Sequence, residues 1–213
     1  MSLSLVVVAA FAATPGPLAV VKNADAEVQK VLQAGNPTVE ALAKKADDFV
    51  DFFELAKRSL GKEWAKLNKK QQDEFSVTMK GLLRANYAHK AISDGRGNAA
   101  FAYGGEAITG NEATVETSLK VKSDVFPVKY TLARGDAKAS WRIVDVITDG
   151  VSLVDTYRDQ FRQVIAKKGF DGLLASLKTK RDQLEKTPVS VAAPTAAPKE
   201  SLPPAGAVDQ RPE

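Results

Sequence analysis

No cysteine occurs in the 213 residues. That single absence removes disulfides, thiolate catalysis and cysteine-ligated metals together, while leaving the redox compartment open. Histidine is almost as scarce. His89 is the only one, so neither a histidine-based catalytic triad nor a multi-histidine metal site can be built on this chain. It falls near the end of a helical pattern, where a cation complements the dipole, and reads as a surface residue. Neither sign of charge dominates: 30 basic residues stand against 26 acidic ones, for a formal net charge of +4. Without a block of like charges or an arginine-rich arm, the surface reads as mixed and well solvated, not as a nucleic-acid interface. No apolar run approaches the roughly 20 residues needed to cross a bilayer.

What is present suffices for a folded domain. The hydrophobic fraction is 44%, enough for a sizeable core. The chain divides into three. Residues 1–16 carry a short apolar run and a small-x-small site at Ala10-Phe11-Ala12, followed by Thr14-Pro15-Gly16-Pro17. We read this as the remnant of a signal peptide and a flexible mature terminus, although no Lys or Arg precedes the run. A buried N-terminal strand is the alternative. Residues 17–186 carry the periodic patterns of a globular domain. Residues 187–213 are rich in Pro and Ala, with few large apolar side chains to offset the cost of ordering, and are expected to be disordered.

Within the central domain the pattern predicts α+β architecture. A helix from about Pro17 has an apolar face of Ala19, Val20, Asn23, Val28, Val31 and Leu32, and stops at Gly35-Asn36-Pro37. A second follows Pro37 with Val39, Leu42 and Ala46. A third runs from Phe53 to Leu60 and closes at Gly61. Asn68 and Gln71 form a capping box for the longest helix, whose stripe is Phe75, Met79, Leu82, Leu83, Tyr87 and Ala91. Four strands are expected next, as an antiparallel meander: Phe101–Tyr103, then the alternating runs 113–122 and 125–132, then the run from Trp141. Asp149-Gly150 ends that last strand. The period then changes to about 3.6, giving one helix to Lys168-Gly169 and a second carrying Leu173, Leu174, Leu177 and Leu184.

The block from Trp141 to Phe161, W-R-I-V-D-V-I-T-D-G-V-S-L-V-x-x-Y-R-x-Q-F, then K-K-G-F-D-G-L-L-x-x-L, resembles the C-terminal signature of the MlaC (toluene-tolerance) family. Asp51, Phe52, Ala56, Leu60, Gly61 and Trp64 match a second pattern of that family, D-F-x-x-x-A-x-x-x-L-G-x-x-W. The resemblance covers roughly Pro17 to Leu184. It implies a periplasmic carrier of phospholipid between outer and inner membranes. The implied fold is a curved sheet with helices around it, similar to the nuclear-transport-factor fold, with acyl chains held between sheet and helices. It also implies docking to an inner-membrane ABC-type lipid transporter complex and to an outer-membrane lipoprotein complex. Such a carrier needs a dry cavity, because moving two acyl chains into water costs on the order of 20 kcal/mol.

The candidate lining residues are Leu82, Leu83, Tyr87, Leu119, Val128, Tyr130, Ile143, Val151, Leu153, Val154 and Tyr157. Lipid is the only small molecule expected, with no cofactor and no metal. Other chemistry is thin. Asp145, Asp149 and Asp155 do not make a visible acid–base pair. Asp149 or Ser152 reads as a helix cap, and Asp145, if buried, needs a partner such as Arg142 or a lysine on a neighbouring strand. The aromatics lie on apolar stripes without interleaved basic residues, which favours core or cavity over a base-stacking platform. Two alternatives stay open: a carrier of a hopanoid-type lipid, and a lipid-free interaction module. An enzyme is the weakest reading.

Overall fold

The computed structural model describes residues 14–94, 96–121 and 123–187. The stretches read as signal remnant and tail lie outside them, apart from residues 14–16 and 187. Helices α1 (Pro17–Gln33), α2 (Val39–Phe49), α3 (Phe52–Leu60) and α4 (Lys69–Ser93) come first. Strands β1 (Ala100–Thr109), β2 (Glu112–Val121), β3 (Asp124–Ala133), β4 (Arg142–Thr148) and β5 (Val151–Ser152) follow, and then α5 (Leu153–Lys186). The sheet order is β1-β2-β3-β4-β5, antiparallel at every step.

The local signals explain most starts. Asn68 accepts from the Gln71 backbone and Gln71 reaches back to the Asn68 N–H, both at 3.0 Å, so the capping box is complete. Thr38 and Asp51 cap α2 and α3 in the same way, through the N–H groups of Ala41 and Glu54. On α1 the buried face is Pro17, Val20, Val21, Ala24 and Asp25. Ala19 and Asn23, assigned to that face from the sequence, are exposed.

The expectation of four strands and two C-terminal helices is corrected. Asp149 and Gly150 both take positive φ, 51° and 79°. That is the backbone of a two-residue hairpin turn, so the chain folds back into β5 instead of simply leaving the sheet. The C-terminal segment is one long helix from Leu153 to Lys186 with a kink at Gly169 (φ 70°, ψ 178°). The glycine absorbs the break in a single residue, so helix resumes without a loop. Gly172 completes the device: a Cβ there would meet the Lys168 Cβ at 2.5 Å. The first strand is also longer than expected, with a register shift between Tyr103 and Glu106.

Three packed clusters fill the interior. One joins α3, α4 and α5 through Leu55, Phe75, Met79, Leu83, Phe161 and Leu173. A second joins α1 to the sheet through Val20, Val21, Val115, Leu132, Trp141 and Ile143. A small third ties α1, α2 and α4 together at Leu42, Ala88 and Ile92. Among the described residues no helix is long and apolar enough to cross a membrane.

Candidate functional site

Cross-strand register decides which side chains share a face, because directly paired residues point the same way. Phe101, Leu119 and Phe126 form one rank. Tyr103, Thr117, Val128 and Thr148 form the next, then Val115, Tyr130 and Val146, then Ala113, Leu132 and Ile143. This is the inner face. Its Leu132 end is packed against α1. At the other end Leu119 and Val128 are buried yet belong to none of the three clusters, and Phe101 and Phe126 keep part of their surface.

The helical wall is set by tight anchors. Asp145 on β4 accepts from the Ser152 hydroxyl at 2.6 Å and from the Val154 N–H at 3.0 Å, and Ser152 accepts from the Asp155 N–H at 3.0 Å. The partner of Asp145 is therefore neither Arg142 nor a lysine but the N-terminus of α5, where a carboxylate complements the dipole. Of the two caps expected there, Ser152 is the one used. Arg142 donates to the carbonyls of Asp47 and Val50 at the end of α2, at 2.6 and 2.8 Å. Arg158 donates twice to the Arg58 carbonyl near the end of α3, at 3.1 and 3.0 Å. The two arginines of the C-terminal signature thus close helix ends far away in sequence.

The candidate residues fall into four groups. Leu82, Leu83, Leu153, Val154 and Tyr157 are buried in the helical cluster, with Tyr87 packed at its edge. Ile143 and Tyr130 belong to the α1–sheet cluster. Leu119 and Val128 sit toward the Phe126 end of the inner face, in neither cluster. Val151 stands at the open end, paired with Thr148 and 50% exposed.

The seam between helices and sheet carries tyrosines. Burial drives the Tyr130 hydroxyl well above its ordinary range, with the charge of Asp25 adding and Arg96 opposing. Burial does the same to Tyr87, where Tyr157 and Asp145 add. Tyr157 is pushed up to about 12 by burial. Tyr87 and Tyr130 are each half-buried as residues. All three phenols are uncharged near neutrality.

One polar residue on this face escaped the sequence reading. Asp25 is buried on α1, and its carboxyl is raised to about 7 by burial, partly offset by the Tyr103 and Tyr130 hydroxyls. Its signal was its place on the stripe Val21, Asp25, Val28, Leu32, spaced by four, three and four. Two surface clefts lie elsewhere. One, of about 360 Å3, is lined by Val50, Phe52, Phe53, Val77, Lys80 and Arg142 among others. The other, of about 500 Å3, lies between Val39, Arg84, His89 and Glu185. Neither contains a candidate residue.

Comparison with curated proteins by sequence finds no match. Among solved structures, the phospholipid-binding protein from Ralstonia solanacearum in complex with a phospholipid shares the fold, with a TM-score of 0.69 at 23% identity. The match covers 81% of this chain and 100% of that one. The family model described as MlaC protein matches residues 19–179. With its two signature blocks placed at the helix junctions they stabilise, the chain belongs to the MlaC family.

Proposed function

We propose that this protein is a soluble periplasmic lipid carrier that holds phospholipid acyl chains between the inner face of its sheet and helices α4 and α5. This reading is supported by the part of the inner face that no packed cluster covers, with Leu119 and Val128 buried there. Apolar side chains and uncharged tyrosines line it, so hydrocarbon can replace protein contacts without desolvating a charge. Membership of a family of periplasmic proteins supports it, as does the fold shared with a phospholipid-binding protein. In this reading Leu119, Val128, Tyr130, Tyr87 and Tyr157 contact the chains. Leu82, Leu83, Ile143, Leu153 and Val154 back them, and Val151 stands at the mouth. The polar head stays outside, at the end of the sheet where Phe126 and Val151 are accessible.

The carrier collects lipid at one membrane and delivers it at the other. It docks to an outer-membrane lipoprotein complex and to an inner-membrane ABC-type transporter, and so maintains outer-membrane lipid asymmetry and organic-solvent tolerance. Extraction of the purified protein with organic solvent, followed by mass spectrometry, tests the binding step. Phospholipid in stoichiometric amount is the expected result. Repeated lipid-free preparations that also take up nothing from vesicles would overturn it. A polycyclic lipid in the extract would redirect the reading to a hopanoid-type cargo.

A further inference from the structure

The near balance of charge over the whole chain conceals one uneven stretch. From Lys57 to Lys70 there are six basic residues and a single acidic one, Glu63. Of the 30 basic and 26 acidic residues in the chain, that leaves 24 and 25 for the rest, so this stretch holds the entire positive excess. It comprises the end of α3, the 3-10 helix Gly61–Lys66 and the start of α4. Lys57, Lys62, Lys66, Lys69 and Lys70 are all exposed. Three of them pair with carboxylates three or four residues away, Glu54, Glu63 and Asp73. Pairs of that kind between solvated groups hold little. The one arginine of the stretch, Arg58, is used within the fold, by Glu54 at 3.0 Å and Glu112 at 2.7 Å.

Exposed apolar side chains stand beside these lysines. Phe53 is 45% exposed and Val77 is 67% exposed, and both line the cleft of about 360 Å3 together with Val50 and Phe52. Trp64, in the middle of the basic stretch, holds Phe53 edge-on with ring centroids 5.3 Å apart. The Lys69 ammonium lies 5.7 Å from the Phe53 centroid, and that of Lys80 lies 5.7 Å from the Phe52 centroid.

This chemistry selects a partner. Lysine is a point charge on a flexible stem, without the flat fork by which arginine fits one carboxylate. Five such charges suit a diffuse anionic surface better than a shaped protein site. Their stems lie along an apolar boundary while the ammonium groups stay in water. Charge then draws the protein to anionic headgroups, and burial of the apolar side chains between the lysines holds it there.

We propose that this face attaches the protein to an anionic lipid surface, with the five lysines over the phosphates and Phe53 and Val77 reaching the acyl boundary. None of the candidate lining residues belongs to it, and the attachment does not depend on the carrier reading.

The test is sedimentation of the full-length protein with phosphatidylcholine vesicles, alone or with about one-third phosphatidylglycerol. Lipid taken up by the protein left in solution is measured in the same samples. Retention on the anionic vesicles should exceed that on phosphatidylcholine by about tenfold or more, and should vanish in about 0.5 M salt. The triple variant Lys62→Gln, Lys66→Gln, Lys70→Gln should lose most of the retention, and Phe53→Gln should weaken it severalfold. A matched triple of exposed lysines on other parts of the chain, Lys44→Gln, Lys120→Gln, Lys138→Gln, should bind as the wild type does. Equal binding to both kinds of vesicle, or equal losses in the two triples, overturns the proposal. So does capture on polyglutamate beads with no retention on vesicles, which would assign the face to an acidic protein. Lipid uptake without retention overturns the attachment and leaves the carrier reading intact.

Discussion

The two ends of the inner sheet face are made from the same kinds of residue and finish differently. At the closed end Ala113, Leu132, Trp141 and Ile143 interlock with Val20, Val21 and Ala24 of α1, and the Arg134 guanidinium lies over the Trp141 ring at 4.3 Å. At the open end Leu119 and Val128 have no such partners in a packed cluster, while Val151 is 50% exposed. Composition does not separate them. Coverage does, and coverage is set by where α1 lies: Glu106 of β1 accepts from the Leu18 N–H at 2.8 Å, and Gln29 and Gln33 donate to the carbonyls of Arg96 and Gly97. One end is core, and the other is proposed as the place where cargo completes the core.

Substitutions should separate the two ends. Leu132 is fully buried, so Leu132→Ala should lose about 2–5 kcal/mol in a denaturant titration, with lipid bound per folded molecule unchanged. A loss of lipid without loss of stability would erase the distinction between the ends.

Asp25 marks the boundary, and its effect depends on pH. Its folded-state value of about 7 stands above the ordinary 3.8. Between those values the folded protein retains a proton that the unfolded chain has released, so stability falls as pH rises. The loss is absent below about pH 4 and complete above about pH 7. The facing groups, Tyr103 and Tyr130, stay neutral throughout this window. Asp25→Asn should therefore gain on the wild type by about 2–4 kcal/mol between pH 4 and pH 7.5. Parallel stability curves for the two proteins would show that Asp25 is not the titrating group.

At the open end Leu119→Ala should lose less than its closed-end counterpart, under about 2 kcal/mol, because its neighbours are partly solvated already. Leu119→Trp should leave the melting temperature close to wild type and abolish lipid uptake by filling the recess. Normal uptake by that variant would place the cargo elsewhere. The smallest effect is local: Ser152→Ala removes the α5 cap and should destabilise by about 1 kcal/mol, read from the unfolding midpoint.

Features whose cause is local could be read in the chain. The Asn68–Gln71 capping box spans four residues, and β2 and β3 alternate over ten residues each. Features that depend on a partner could not. A two-residue strand such as β5 is too short to show a period. Gly169 looked like a stop because a positive-φ glycine ends most helices, and nothing in the sequence says that the next residue resumes. Asp145 lacked its partner on paper because Ser152 and Val154 reach it only after the hairpin turn has folded back. Asp25 sat on an apolar stripe and was passed over because an acidic residue on a helix is ordinarily solvated. The strand candidates Leu119, Val128 and Tyr130 could be read as sharing one face, since period two reveals a face. Which candidates join a packed cluster depends on where α1, α4 and α5 come to rest.

The most direct measurement is photo-crosslinking with a phospholipid that carries a diazirine near the end of one acyl chain. After loading from vesicles and illumination, peptide mapping locates the labelled residues. Labels on Tyr87, Leu119, Val128, Tyr130 or Tyr157 are the predicted result. Labels confined to Phe53, Val77 and the cleft beside them, or no labelling above an unloaded control, would contradict the account.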